Sequence, residues 1–461
     1  MNEIEEKDPT FKQPNRIVLS MSLLLACAFL CWMNGCKASS ADASASLKGR
    51  WKGSATFRGQ ATPAILDFYE TPGGWRALGG KAESPDYFFQ PVRNIRYQHP
   101  RLSFEINDGP VHTSFEGTVS DKTIKVVSRG QEQVIFELQW MGDAPPPQYT
   151  EEAIELRNGE VKLGGDLLLP PGPGPHPAIV LIHGSGRGTR DSCRMFGNLF
   201  VANGVAALLY DKRDAVDYST GMDLVTHHDL AGDVLAAVAL LKARDDIRDD
   251  QIGLWGASQG SSVAAIVAAQ SNDVAFMIEV SPSGVSLADL GIFYQESRLR
   301  SRGFSAREVS EATGALRRVH DFVRKGNPQG AQPILDEMRR KPWFRFSTLP
   351  YPAPTETELK TAIRWRDLDF DPVYYRERVK IPALIIFGEL EDRAPPDLSA
   401  KRIREAFLRA GNTKYTIKIF PGADHSITLG TEVATNGGPL FAPGYLDTMT
   451  GWLREQLGPR R

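Results

Sequence analysis

The stretch at residues 251–268 constrains the fold of this chain more than any other feature. A short apolar run at residues 252–255 leads into the sequence Gly-Ala-Ser-Gln-Gly at 256–260, and small, helix-compatible residues follow. This is the pattern G-x-S-x-G between a strand and a helix, a context that requires a sharp turn. Gly256 and Gly260 stand where side chains would collide in such a turn. The pattern predicts that Ser258 lies exposed at the tip of the turn, near the positive end of the helix dipole; the alternative is a serine in an ordinary strand-to-helix turn.

Beyond residue 150, strand-like runs alternate with helical patterns. The runs are nearly continuous in apolar residues, as strands are when both faces of a sheet are covered. They lie at residues 178–182, 205–210, 252–255, 275–280, 383–387 and 415–420. Between them, residues 229–242 place Leu230, Val234 and Leu241 on one face of a helix. We therefore predict an α/β domain at residues 151–461, with a doubly wound, mostly parallel sheet covered by helices.

Residues 47–142 have a different pattern, in which short runs of alternating polar and apolar residues are separated by turn signals. Such alternation predicts a small antiparallel all-β domain, either a barrel or a sandwich. The sequence Gly-Arg-Trp-Lys-Gly at residues 49–53 resembles the opening of lipocalin-like barrels. This domain could serve as a lid, as a spacer or as a module that holds a ligand. The proline-rich residues 143–150 are expected to form a stiff linker.

One segment of the α/β domain lacks a convincing buried strand. Residues 286–370 contain helical stretches at 306–325 and 333–340, followed by several aromatic side chains. An insertion near the carboxyl ends of the strands would lie over an active site, so we expect a helical cap. The alternative is a set of ordinary peripheral helices.

The N-terminal segment, residues 1–46, has the features of an export signal. Arg16 precedes an apolar run at residues 17–33, and Asn-Gly-Cys follows at 34–36. The pair Gly35-Cys36 resembles the lipobox of bacterial lipoproteins, so Cys36 is the expected lipidation site. Cys27 is an alternative, and an uncleaved membrane anchor is another. Each interpretation predicts an exported, periplasmic or cell-envelope protein tethered to a membrane.

Composition limits the partners of this chain. The formal net charge is −2 and no block of basic residues is present, so we expect no binding to nucleic acid. We also expect no cofactor and no metal: the adjacent His227 and His228 would point to different faces of a helix or strand. The expected partner is a small molecule, and the sequence leaves the oligomeric state open.

A serine hydroxyl needs a base and an orienting acid to act as a nucleophile, and in doubly wound hydrolases these follow it in the order acid, then histidine. His425 lies in a loop after the last predicted strand and is the only one of the eight histidines beyond the acid candidates. Two adjacent carboxylates, Glu391 and Asp392, follow the strand at 383–387. Spacing from Gly388 and from the following proline favours Glu391, with Asp392 as the alternative.

An oxyanion also needs two backbone N–H donors. Gln259, which follows the nucleophile, is one candidate. The other is Ser185, in the sequence His-Gly-Ser-Gly that follows an early strand at residues 183–186. His183 of the same loop is expected to be structural.

These motifs together resemble the α/β-hydrolase superfamily, and within it exported bacterial hydrolases of the dienelactone-hydrolase and acyl-CoA-thioesterase-like type. Besides the turn at 256–260 and the loop at 183–186, the resemblance rests on Tyr-Asp-Lys-Arg at 210–213 and on the sequences around Glu391 and His425. It implies a serine hydrolase that cleaves a carboxylic ester or similar acyl bond through an acyl-enzyme. A thioesterase, acyltransferase or peptidase with the same triad, and a non-catalytic ligand-binding lipoprotein, are the alternatives.

Overall fold

The computed structural model describes residues 46–458, except residues 82–87, 109–110, 131–132, 214–215, 218–221, 224 and 434–438. The N-terminal segment with Cys27 and Cys36 lies outside the described residues, so its role stays a prediction. Within the described part, no helix is both long enough and apolar enough to span a membrane.

Residues 49–142 form a closed barrel of antiparallel strands, which confirms the predicted all-β domain. Its strands are β1 Gly49–Phe57, β2 Gln60–Thr71, β3 Gly74–Lys81, β4 Gln90–Gln98, β5 Arg101–Asp108, β6 Val111–Ser120, β7 Thr123–Ser128 and β8 Val134–Gly142. Each strand pairs with the next along the chain, and β1 closes the barrel by pairing with β8.

Large apolar side chains fill the interior of the barrel. Trp51, Phe68 and Phe104 are almost completely buried, and they pack in one cluster with Leu66, Phe115, Phe136 and Leu138. A barrel of eight strands has room for its own side chains or for one small ligand. Because aromatic rings occupy this space, the interior is a packed core.

The second half of the architecture is an eight-stranded mixed sheet. Its strands are β9 Thr150–Asn158, β10 Val161–Leu169, β11 His176–Ile182, β12 Ala206–Tyr210, β15 Ile247–Ala257, β16 Phe276–Val280, β17 Ala383–Gly388 and β18 Tyr415–Phe420. Two short hairpins accompany it: β13 Val216–Asp217 with β14 Met222–Asp223, and β19 Thr428–Val433 with β20 Pro439–Phe441. The strand order is β18-β17-β16-β15-β11-β12-β10-β9.

Each of the six predicted apolar runs lies within or almost within one of the parallel strands of this sheet. The sequence analysis did not predict the antiparallel hairpin β9–β10, which makes the sheet mixed at one edge. Four of the nine residues of the edge strand β9 are charged and spread along it, so its sequence lacks the apolar run by which a central strand is recognised.

Helices cover both faces of this sheet. The α-helices of the described residues, including those of an insertion, are α1 Arg194–Ala202, α2 His227–Lys242, α3 Gln259–Gln270, α4 Leu287–Arg300, α5 Ala306–Arg324, α6 Gln332–Met338, α7 Glu356–Thr361, α8 Ile363–Arg366, α9 Val373–Arg376, α10 Pro396–Arg409 and α11 Tyr445–Leu457. Buried side chains of α2, α3 and α10 share one core with the sheet, and those of α1 and α11 share another. This is the doubly wound arrangement that the alternation predicted.

Helices α4 to α9 lie between β16 and β17, in a stretch that the structure describes throughout and that contains no strand. Most of them share a separate apolar core around the buried Trp343, Leu316 and Leu299. The segment is therefore a helical insertion between two adjacent strands of the sheet, which pair directly with each other.

A buried ionic network joins the barrel to the α/β domain. Arg93 of β4 contacts Asp166 and Asp191, both at 2.6 Å, and the fully buried Arg194 lies 2.6 Å from Glu151. Burial alone would raise the pKa of Glu151, but Arg194, Arg76 and Arg93 together outweigh that effect and the pKa falls to about 2. The barrel is thus held against the turn at Arg190–Cys193, which follows the loop at residues 183–186.

A second buried ion pair fixes the end of the helical insertion. Arg376 of α9 and Glu279 of β16 are both fully buried, and their side chains approach to 3.0 Å. Arg376 also donates to the carbonyl oxygen of Ser283 at 3.1 Å. Burial raises the pKa of Glu279, and Arg376 opposes that rise.

Arg376→Met is expected to destabilise the protein by about 3–5 kcal/mol, because it leaves the Glu279 carboxylate buried without its partner. Urea denaturation measures this free energy of unfolding. The matched control is Arg409→Met, since the side chain of Arg409 is half exposed, its partner Glu377 is about a third exposed, and such solvent-accessible pairs contribute about 1 kcal/mol or less. Equal losses in the two variants would contradict the role given to the buried pair.

Candidate active site

Ser258 lies at a strained turn between β15 and α3. Its φ of 53° and ψ of −116° are rarely adopted by a residue with a side chain, and such a conformation costs about 1–3 kcal/mol. The backbone N–H of Ser258 donates to the carbonyl oxygen of Val280 at 2.8 Å. The hydroxyl of Ser261 binds the carbonyl oxygens of both Gly256 and Val280. These bonds hold the strained conformation in place.

The two glycines of the motif permit a close approach of backbone segments. A Cβ atom on Gly256 would lie 2.4 Å from the carbonyl oxygen of Gly260. A Cβ on Gly260 would lie 2.4 Å from the carbonyl oxygen of Ile182 in β11. The turn can therefore be this tight only if both positions lack side chains, as the sequence analysis expected.

His425 lies in the loop after β18 and contacts a carboxylate directly. Its Nδ1 is 2.6 Å from Oε2 and 2.8 Å from Oε1 of Glu391. The hydroxyl of Ser281 donates to the carbonyl oxygen of His425 at 2.7 Å. Because Ser281 follows β16 and Glu391 follows β17, the ends of two strands together fix the position of His425.

The structure separates the two candidate acids. The side chain of Glu391 is fully buried, and its Oε1 accepts the backbone N–H of Arg393 at 2.7 Å. The side chain of Asp392 is 60% exposed, and its carboxylate lies 4.0 Å from Nε of Arg393. The geometry therefore favours Glu391 as the partner of His425 and directs Asp392 towards solvent, because adjacent residues of an extended loop point in different directions.

Gly388 brings the acid loop and the histidine loop together. A Cβ atom at this position would lie 2.2 Å from the carbonyl oxygen of Asp424. Just beyond it, the N–H of Leu390 donates to the carbonyl oxygen of Ala423 at 2.8 Å. Backbone contact of this kind lets the longer glutamate side chain reach the imidazole.

Lys212 links the loop at residues 183–186 to the start of α3. Its Nζ donates to the carbonyl oxygens of Gly184 and Gly186, both at 2.9 Å, and to Oε1 of Gln259 at 2.7 Å. The two residues predicted to supply N–H donors, Ser185 and Gln259, therefore belong to segments joined by one side chain. No role was predicted for Lys212 from the sequence, although its position directly after the buried strand β12 could have indicated that it lies near the site.

His183 is buried beneath this loop. Its Nε2 donates to the carbonyl oxygen of Tyr210 at 2.6 Å, and its Nδ1 lies 3.5 Å from Sγ of Cys193. Burial lowers the pKa of His183 to about 4. His183 is thus neutral at physiological pH, with both ring nitrogens directed at protein atoms, as the sequence analysis expected of a structural residue.

A cavity of about 410 Å³ opens beside Ser258. Ser185, Ser258, Gln259 and His425 all line it, so the structure brings the predicted nucleophile, base and N–H donors to one space. Residues 287–372 of the helical insertion supply much of the remaining wall. Among the described residues, no group of histidine, cysteine and carboxylate side chains has the arrangement of a metal site.

Three comparisons relate the chain to known proteins. A family model described as "Alpha/beta hydrolase family" matches residues 179–434, more than half of the chain. Esterase EstD of Thermotoga maritima is 25% identical over 304 residues, 64% of each chain. Peroxisomal succinyl-coenzyme A thioesterase of Mus musculus is 25% identical over 169 residues, 37% of this chain and 38% of the relative. The chain thus spans less than two thirds of the length of these relatives.

Among solved structures, a dienelactone hydrolase from Anabaena variabilis is 18% identical, with a TM-score of 0.37, and the match covers 68% of this chain and 98% of that one.

The burial of His183 predicts a pH-dependent loss of stability. Its folded pKa of about 4 lies below the unfolded value of 6.5, so between these values the unfolded chain binds a proton that the folded chain does not. The free energy of unfolding should therefore fall as the pH drops from 6.5 to 4, by about 3 kcal/mol from this residue.

Urea denaturation at several pH values measures this loss. His183→Asn should lose less stability between pH 7 and pH 4 than the wild type does, whatever its stability at pH 7. His99→Asn, at an exposed position, is the matched control and should keep the slope of the wild type. An unchanged slope in His183→Asn would show that this histidine is not held neutral by burial.

Proposed function

We propose, since this chain belongs to the alpha/beta hydrolase family, that it hydrolyses an ester or similar acyl bond with Ser258 as the nucleophile. The observation that carries the proposal is the contact between His425 and Glu391 at the same cavity as the strained Ser258 turn. A neutral imidazole with its Nδ1–H on a buried carboxylate has Nε2 free to accept a proton. The match to an esterase agrees with this chemistry.

In the proposed reaction, the hydroxyl oxygen of Ser258 attacks the acyl carbon while His425 takes the hydroxyl proton. Glu391 holds the imidazole in the required tautomer and stabilises the imidazolium that forms. The N–H groups of Ser185 and Gln259 bind the oxyanion, and loss of one such donor costs about 3–4 kcal/mol. His425 then protonates the leaving group, and a water molecule that it activates releases the acyl group from Ser258.

We also propose that residues 286–370 act as a cap that encloses the substrate. This proposal is supported by the share of the cavity wall that the helical insertion supplies. A ligand-holding role for the barrel is disfavoured, because its interior is filled by aromatic side chains. The packed barrel and its ionic contacts with the α/β domain support the role of a rigid spacer instead.

A thioester is the second candidate substrate. The match to a thioesterase over 169 residues favours it, and thioesters react through the same acyl-enzyme. Turnover of p-nitrophenyl esters, acyl-CoA and peptide amides compared on one enzyme preparation would rank these classes.

Ser258→Ala should lower kcat for p-nitrophenyl ester hydrolysis on the order of 10⁴-fold or more, because the nucleophile is lost. Glu391→Gln should lower kcat about 10⁴-fold, since the amide favours the wrong tautomer of His425. Steady-state kinetics with p-nitrophenyl butyrate measure both effects. Asp392→Asn is the matched control, and we expect less than about a threefold change because that carboxylate is exposed. A larger loss in Asp392→Asn than in Glu391→Gln would overturn the choice of acid.

We propose further that residues 1–46 direct export and that Cys36 carries a lipid anchor. The support is the apolar run at 17–33 followed by Gly35-Cys36. In a bacterial host, metabolic labelling with an alkyne fatty acid should mark the full-length protein, and Cys36→Ala should abolish the label while Cys27→Ala keeps it. A label that is lost only in Cys27→Ala would move the site to Cys27, and an unlabelled wild-type protein would reject lipidation.

A further inference from the structure

The charged side chains that line the cavity beside Ser258 are of one sign. Arg364 and Arg393 contribute to its wall, and none of the described residues that line it is an aspartate or glutamate. Two of its histidines, His227 and His320, have pKa values lowered to about 4 by burial, so they are neutral at physiological pH. The wall therefore carries the positive charge of arginine.

The two arginines differ in how that charge is compensated. Arg393 is more than half exposed, and Asp392 lies 4.0 Å away. Arg364 makes no hydrogen bond or ion pair with any residue in the described part of the chain; its guanidinium lies 4.2 Å from the ring centroid of the neighbouring Trp365. Stacking on an aromatic face leaves the N–H edges of a guanidinium available to a ligand.

Protein atoms surround the guanidinium of Arg364, although the residue as a whole is exposed. Burial lowers its pKa, and Glu358 is the carboxylate that opposes this shift. However, Glu358 is engaged elsewhere: its Oε2 accepts the backbone N–H of Thr355 at 2.7 Å and the Thr355 hydroxyl at 2.8 Å. Arg364 nevertheless keeps exposed surface. A side chain in the wall of an open cavity has both properties, because protein surrounds it while the cavity leaves part of its surface accessible.

A second polar group in the wall lacks a partner. His227 is 3% exposed, stacks on Phe370 at 4.2 Å between ring centroids, and lines the same cavity. Its Nδ1 is buried without a hydrogen-bond partner among the described residues. Because this nitrogen has almost no accessible surface, it is closed to a ligand in the cavity, and the case for an anion site rests on Arg364.

We propose that Arg364 binds an anionic group of the substrate, so that the preferred substrate is an acyl compound with a carboxylate or phosphate apart from the scissile bond. The planar fork of arginine matches both anions, and hydrogen bonds between charged groups are stronger than those between neutral groups. Apolar wall residues, including Leu287, Leu290, Leu316 and Leu368, would contact the chain between the anion and the acyl carbon. This inference rests on the proposed hydrolase function and names its substrate class.

The anion can belong to the acyl chain or to the leaving group, and matched esters distinguish these sources. The first pair is mono-p-nitrophenyl adipate and p-nitrophenyl hexanoate, which have the same chain length and differ in the terminal carboxylate. The second pair is the 4-carboxyphenyl and 4-carbamoylphenyl esters of hexanoic acid, which differ only in the charge of the leaving phenol. The ratio of kcat/KM within each pair reports recognition of charge.

In the pair that carries the recognised anion, the wild type should prefer the charged ester. Arg364→Gln should lower that preference about 10- to 100-fold, the range expected for losing hydrogen bonds to a charged group. Arg364→Lys should retain part of it. Arg345→Gln is the matched control, because Arg345 is likewise exposed and stacks on an aromatic ring, 4.6 Å from the ring centroid of Phe346, but does not line the cavity.

Binding without turnover separates this inference from the proposed reaction. In the Ser258→Ala background, calorimetric titration with adipate and with 4-hydroxybenzoate should detect binding of at least one anion, weakened tenfold or more by Arg364→Gln. If no ester is hydrolysed but this dependence holds, the reaction is wrong and the anion site stands. If neutral and charged esters are hydrolysed alike and Arg364→Gln changes neither ratio, the anion site is overturned and the reaction stands.

Discussion

The strained backbone of Ser258 is the constraint on which the rest of the site depends. A residue with φ of 53° at the start of a helix is held there by the hydrogen bond to Val280 and by helix α3 packed directly against β15 and β11. Gly256 and Gly260 are required because a Cβ atom at either position would lie 2.4 Å from a neighbouring carbonyl oxygen. Strain at this level persists only where the surroundings over-determine the conformation. The parallel sheet supplies those surroundings.

The ends of the strands hold the other groups in fixed positions before any substrate arrives. Ser281 binds the backbone of His425, Glu391 binds its ring, and Lys212 joins the loop of Ser185 to Gln259. Fixed donors and dipoles of this kind lower a reaction barrier because they need no reorganisation when charge develops. Arg364 and Arg393 give the cavity wall a positive charge, to which the neutral, buried His227 and His320 add nothing. The reaction and the anionic substrate that we propose both depend on this fixed arrangement.

Local sequence rules were sufficient to predict the parallel strands of the sheet and the turn at Ser258. Apolar runs such as 383–387 identify buried strands, and glycines at fixed spacing around Ser258 identify the turn. The hairpin β9–β10 was missed because a charged edge strand such as β9 lacks that signal. The choice between Glu391 and Asp392 could only be weighed from spacing, since it depends on which side chain the loop after β17 turns inward. Lys212 contacts two segments that are distant in the chain, and the packing of the insertion places Arg364 in the cavity wall. A single sequence displays neither relation.

The most direct test of the central claim is covalent labelling of the active serine. A fluorophosphonate reacts only with a serine that a neighbouring base activates. After reaction, digestion and mass spectrometry should find one modified peptide, which contains Ser258, and prior treatment with a competing ester should reduce its labelling. The His425→Ala variant should label far more slowly, because the base is gone. An unlabelled Ser258 in folded wild-type protein, or a label on another serine, would contradict the account.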